Sequence, residues 1–115
     1  MYIAIDGGGT KTEYLLLDKY FQVVDHYLGG CLNHDLLGNG WADVSLALKA
    51  SIDVLLERNG LTVSDIEAAA AGISGLDTAR DQQQADACFS SAGISRFLAI
   101  NAVSYTHLTL PTNRE

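Results

Sequence analysis

The sequence has one proline, no run of lysine or arginine, and two cysteines, Cys31 and Cys88, far apart in the chain. So little proline excludes a proline-rich linker, and 48 % hydrophobic residues argue for a folded core. Without a basic run there is no source of counterion release from a phosphate backbone, and the net charge of −7 is dispersed, so nucleic acid is excluded as an expected partner. The cysteines have neither metal-knuckle spacing nor the density of a disulfide framework. They read as reduced structural thiols, which fits a cytoplasmic protein. No apolar stretch approaches the roughly 20 residues that cross a bilayer. Met1-Tyr2-Ile3-Ala4-Ile5-Asp6 also reaches an acid too early for a signal peptide, so neither a membrane partner nor export is expected. At 115 residues the chain fits one small domain.

What is present is an ordered series of short apolar segments. Tyr2-Ile3-Ala4-Ile5 reads as a buried strand that ends in the turn Asp6-Gly7-Gly8-Gly9-Thr10. Thr12-Glu13-Tyr14-Leu15-Leu16-Leu17 and residues 21–28 follow as two further strands, and connections this short predict an antiparallel meander. Gly29-Gly30 breaks the pattern and opens a loop over residues 31–40. Trp41, Val44, Leu48, Ile52, Leu55 and Leu56 recur at three- and four-residue steps, which predicts an amphipathic helix over residues 40–59 stopped by Gly60. Residues 66–73 predict a strand parallel to the first, although their alanine content alone also allows a helix. A weaker helix is expected over residues 78–91 and a fifth strand at Phe97-Leu98-Ala99-Ile100. The order βββαβαβ makes the fold class a layered α/β domain.

The glycine turn carries the chemistry. Three glycines let a turn approach an anion without an intervening Cβ, and successive backbone N–H groups in such a turn form a concave phosphate site. Asp6 at its mouth can hold Mg²⁺ directly or through water, while the Thr10 and Thr12 hydroxyls and the Lys11 ammonium can reach phosphoryl oxygens. The string is not a Walker loop, because GxxxxGK[ST] is absent and a strand follows the glycines. A plain glycine-rich β-turn that binds nothing is the alternative.

The full string Ile3-Ala4-Ile5-Asp6-Gly7-Gly8-Gly9-Thr10-Lys11-Thr12-Glu13, in its βββαβαβ setting, resembles the first phosphate segment of the actin and hexokinase superfamily. Within that superfamily it is similar to the BadF/BadG/BcrA/BcrD ATPase family, which includes N-acetylglucosamine kinase. The resemblance covers about residues 1–101. It implies a ribonuclease H-like domain, incomplete here, with ATP and Mg²⁺ as cofactors. It places Asp6 at the metal and Gly7, Gly8, Gly9, Thr10, Lys11 and Thr12 around the phosphates. Phosphoryl transfer also needs a group to take the acceptor proton. Related kinases supply an Asp just after the strand matched by residues 97–101, where this chain has Ala102, so the expected base is absent. Residues 102–115 are similar to a translated sequencing-adaptor tail, and the expectation is a non-native end on a truncated chain that is inactive by itself.

Cys31-Leu32-Asn33-His34 looks like the Asn-His step that N-acetylglucosamine kinases place over the sugar, and an Asn amide offers both donor and acceptor to a neutral sugar. Its alternative is a turn-capping Asn33 beside a surface His34. Gly72-Ile73-Ser74-Gly75 resembles a second segment that faces sugar or phosphate, which adds Ser74 and Gly75, although Ser-Gly at a strand end is commonly only a turn. His26 and Trp41 read as structural. The expected function of the longer protein is therefore an amino-sugar kinase with a small-molecule sugar partner, a homodimer being admitted. Two alternatives stay open: an ATP-driven activator of a 2-hydroxyacyl-CoA dehydratase or benzoyl-CoA reductase, with cluster cysteines downstream, and a noncatalytic nucleotide-binding protein.

Overall fold

A computed structural model describes residues 1–8 and 10–101; Gly9, Ala102 and the rest of the adaptor-like segment lie outside them. Among the described residues five strands form one sheet in the order β3-β2-β1-β4-β5. β1 (Tyr2–Gly7) pairs antiparallel with β2 (Lys11–Leu17), and β2 with β3 (Val23–Gly30), which is the expected meander. β4 (Ala68–Ile73) lies parallel to β1, and β5 (Phe97–Asn101) lies parallel to β4. α1 (Trp41–Arg58) joins β3 to β4, and α2 (Ala79–Ser91) joins β4 to β5. Short 3-10 turns at His34–Leu36 and Val63–Asp65 were not legible in the sequence. Among the described residues no helix is long and apolar enough to cross a membrane.

Period-two alternation decides which side of the sheet is covered. Ile3, Ile5, Tyr14, Leu16, Ala69, Ala71 and Ala99 are buried, and with them pack Val44, Leu48, Ile52, Leu55 and Leu56 of α1 and Ala85, Cys88 and Phe89 of α2. The residues of opposite parity, including Asp6, Lys11, Glu13, His26 and Leu98, are exposed on the other face.

One expectation fails in an instructive way. Gly29-Gly30 does not end β3; the strand runs through both, opposite Thr12 and Lys11. A Cβ at Gly29 would stand 2.8 Å from the Ser51 hydroxyl and 3.0 Å from the Tyr14 ring, so glycine there lets α1 come down onto the sheet. Tyr14 below it is fully buried, its hydroxyl completes no hydrogen bond among the described residues, and burial pushes its pKa up to about 12, which the neighbouring Ser51 offsets only in part.

The helix ends are secured by side chains. Asp43 reaches back to the Asn39 backbone N–H at 3.0 Å at the start of α1, and Asn59 donates to Leu55 O at 2.8 Å at its end, where Gly60 takes φ +66°. Thr78 and Asp81 form a reciprocal capping box on α2. Arg58 ties α1 to the edge strand through Asp25, at 2.9 Å, and through His26 O. The Asn59 amide, with the Arg58 guanidinium and against desolvation, holds the Asp25 carboxyl below its usual range. Desolvation raises the Asp81 pKa, but the Asp77 and Thr78 donors and nearby His34 outweigh it, so this carboxyl also lies low. A carboxyl depressed on folding adds stability above its unfolded pKa of about 3.9 and loses it as pH falls through the folded value. Urea midpoints are therefore expected to fall steeply below about pH 4 and to fall less in the double variant Asp25→Asn/Asp81→Asn. Parallel pH profiles for the two proteins would contradict this.

Candidate functional site

The sequence-derived candidates that the structure describes come together at one end of the sheet, the carboxyl end of the parallel strands β1 and β4, with Thr12 there too but on the covered face. Open α/β sheets commonly bind ligands at that end. Two clusters form there.

The first is the β1–β2 turn. Gly8 N–H donates to Lys11 O at 3.0 Å and closes it, and a Cβ at Gly8 would meet that same oxygen at 3.1 Å. Gly7 lies against β4, with Gly72 O 3.3 Å from where its Cβ would stand. Asp6 is exposed on the uncovered face, with Glu13 directly across the ladder and Gly72 on its other side. Lys11 shares that face, and Thr10 is exposed at the turn. Neither Asp6 nor Lys11 has an ion-pair partner among the described residues, so a carboxylate and an ammonium stand free on either side of the glycines.

Thr12 is placed otherwise. It is fully buried on the helix face, and its hydroxyl donates to Gly30 O at 2.7 Å. That bond fixes the exit of β3 and leaves the hydroxyl turned away from the turn's outer surface. Parity could have shown this, because Thr12 shares the face of Tyr14 and Leu16.

The second cluster joins two loops distant in sequence. The Asn33 Oδ1 accepts the Asp35 backbone N–H at 2.9 Å and caps the first 3-10 turn. Its amide NH₂ is left without a partner among the described residues. His34 bonds through Nε2 to Gly75 O at 3.0 Å and stacks on Trp41, with ring centroids 4.4 Å apart and planes at 15°. Gly75 has φ +91°, and a Cβ on it would stand 2.9 Å from Asn33 Oδ1. Ser74 N–H donates to Gly7 O at 3.1 Å, which prolongs the β1–β4 ladder and links this cluster to the glycine turn. The Ser74 hydroxyl is buried without a partner among the described residues. Asp81 and Trp41, as neighbours of His34, were missed in the sequence; an acid three residues into a capped helix looks like nothing more than a cap.

Neither cysteine is in a disulfide; burial pushes the Cys88 thiol pKa up, and among the described residues no three His, Cys, Asp or Glu side chains converge as a metal site.

No family model matches the sequence, and no curated protein matches it. Solved structures do. A candidate N-acetylglucosamine kinase from Porphyromonas gingivalis superimposes with TM-score 0.70 at 17 % identity, over 89 % of this chain and 34 % of that one. Another, from Chromobacterium violaceum, gives 0.63 at 24 % identity, over 87 % and 34 %. YeaZ from Pseudomonas aeruginosa gives 0.51 at 16 % identity, over 87 % and 43 %. At such identities the likeness is one of fold alone, a mixed α/β architecture. The chain spans about a third of the length of the two kinase-like structures.

Proposed function

We propose that the chain is the phosphate- and acceptor-facing portion of an ATP-dependent kinase whose longer form phosphorylates N-acetylglucosamine or a related amino sugar. The observation that carries this reading is the single hydrogen bond from Ser74 N–H to Gly7 O, which sets the glycine turn and the Asn33–Gly75 cluster side by side. One cluster offers what a polyphosphate needs and the other what a neutral polyol needs, and a kinase must hold the two within reach of each other.

In this reading the turn takes the terminal phosphates. Lys11 supplies positive charge and Thr10 adds a hydroxyl. Asp6 is suited to Mg²⁺, because a free, hydrated carboxylate with a second one, Glu13, across the ladder matches a cation that keeps most of its waters. Bound there, the metal would neutralise phosphate charge. On the acceptor side Asn33 has spent its carbonyl on Asp35, so it presents N–H donors, which recognise a sugar hydroxyl or acetamido oxygen as an acceptor.

The test is an amide NMR titration of the 115-residue chain. A nonhydrolysable ATP analogue with magnesium is expected to shift Gly7, Gly8, Thr10 and Lys11, and N-acetylglucosamine to shift Asn33, His34 and Gly75. Asp6→Asn is expected to remove the magnesium enhancement of nucleotide affinity, about tenfold, and to leave the sugar shifts in place. Nucleotide shifts that map away from the turn, or equal losses of both ligands in Asp6→Asn, would refute the assignment.

A further inference from the structure

The His34 ring is largely taken up by the chain itself. Its side chain is only 15 % exposed; Nε2 faces Gly75 O at 3.0 Å and Asp81 Oδ1 at 3.4 Å, Nδ1 stands 3.5 Å from Asp35 Oδ1, and the ring stacks on Trp41. A carbonyl oxygen can only accept, so Nε2 carries the proton. The ring thus joins the loop after β3 to the turn after β4 and to the first turn of α2, across 41 residues of sequence from His34 to Gly75.

We propose that His34 is a positioning residue, a strut that fixes the Ser74-Gly75 turn against Asn33 and so sets the geometry of the acceptor edge without touching the acceptor. The inference rests on the reading of that edge as sugar-facing. Two further features converge on it. Gly75 fits beneath Asn33 only because it lacks a side chain, so the two loops are already in contact where the strut acts. Ser74 N–H bonds to Gly7 O, so a displaced turn would also disturb the end of β1 at the phosphate turn. Asn33 itself is held by Asp35 and reaches the turn only through this packing.

Three readouts on the full 115-residue chain test this. Imidazole ¹⁵N shifts are expected to report the Nε2–H tautomer in the wild type. Hydrogen exchange at the Ser74 amide is expected to be about tenfold faster in His34→Ala, with Leu48 and Ile52 in α1 unchanged. His34→Gln, whose amide can again donate to Gly75 O, is expected to restore slow exchange. N-acetylglucosamine affinity is expected to follow the same pattern, with an about tenfold loss in His34→Ala and recovery in His34→Gln. An Nδ1–H tautomer, unchanged exchange at Ser74 in His34→Ala, or uniformly faster exchange through α1 would each overturn the strut. So would a His34→Gln variant with normal exchange but no sugar binding, since that outcome puts the ring itself on the ligand. If the wild type binds no sugar, the sugar reading fails, while the tautomer and the exchange rates still decide whether His34 positions the turn.

Discussion

Phe89→Ala is expected to lower the unfolding free energy by about 3–5 kcal/mol. Phe89 is fully buried, and its ring stacks on Phe97 of β5 with centroids 5.1 Å apart and planes at 13°. The other buried residues of α2, Ala85 and Cys88, are small, so the phenylalanine is the large group by which that helix holds the sheet. Truncation removes its transfer free energy and leaves a cavity that a packed layer fills only in part. Since small domains are stable by about 5–15 kcal/mol in total, the variant should sit near the edge of folding at room temperature. Urea unfolding followed by circular dichroism measures this, and a midpoint close to that of the wild type would show that α2 is docked by something else.

Gly75→Ala is expected to cost about 2–5 kcal/mol, from roughly 1–2 for an L-residue held at positive φ and roughly 1–3 for overpacking. The left-handed backbone at +91° disfavours any side chain, and the added carbon would meet Asn33 Oδ1 at 2.9 Å and His34 Cδ2 at 3.3 Å. Asn33 cannot retreat without giving up its bond to Asp35 N–H, nor His34 without leaving Trp41. The damage should therefore include the proposed acceptor edge: under that proposal, sugar shifts at Asn33 are expected to disappear while nucleotide shifts at Gly8 and Lys11 weaken less. Gly30→Ala is the control, because nothing lies within 4 Å of a Cβ there. Equal midpoints for the two alanine variants would mean that Gly75 is not pinned.

Most of the fold was legible in the sequence because its signals are periodic. The stripe Val44, Leu48, Ile52, Leu55 gives α1, short apolar runs give β1 and β2, and a strand after a helix gives the parallel β4. The Gly29-Gly30 step was misread because glycine carries no side chain to alternate, and its reason, the close approach of Ser51 and Tyr14, comes from another element. The glycine turn was legible because its parts are contiguous. The face on which each residue stands was not read, though parity separates Asp6 from Thr12, and so Thr12 was grouped with residues whose face it does not share. The His34 contacts could not be read at all: Gly75 and Asp81 are brought to it only by the packing of α1 and α2 over the sheet.

The sheet order has a consequence for how the molecule assembles. β1, β2 and β3 are neighbours in sequence as well as in space, so the glycine turn belongs to a hairpin that closes locally, with Gly7 opposite Thr12. Pairing of β1 with β4 instead brings Tyr2 to Ala68 and must close most of the chain into a loop, an entropic cost met before any contact repays it. The glycine turn is thus encoded in short-range structure, whereas the Asn33–Gly75 cluster comes into being only with the whole domain. Loss of long-range order would dissolve that cluster first.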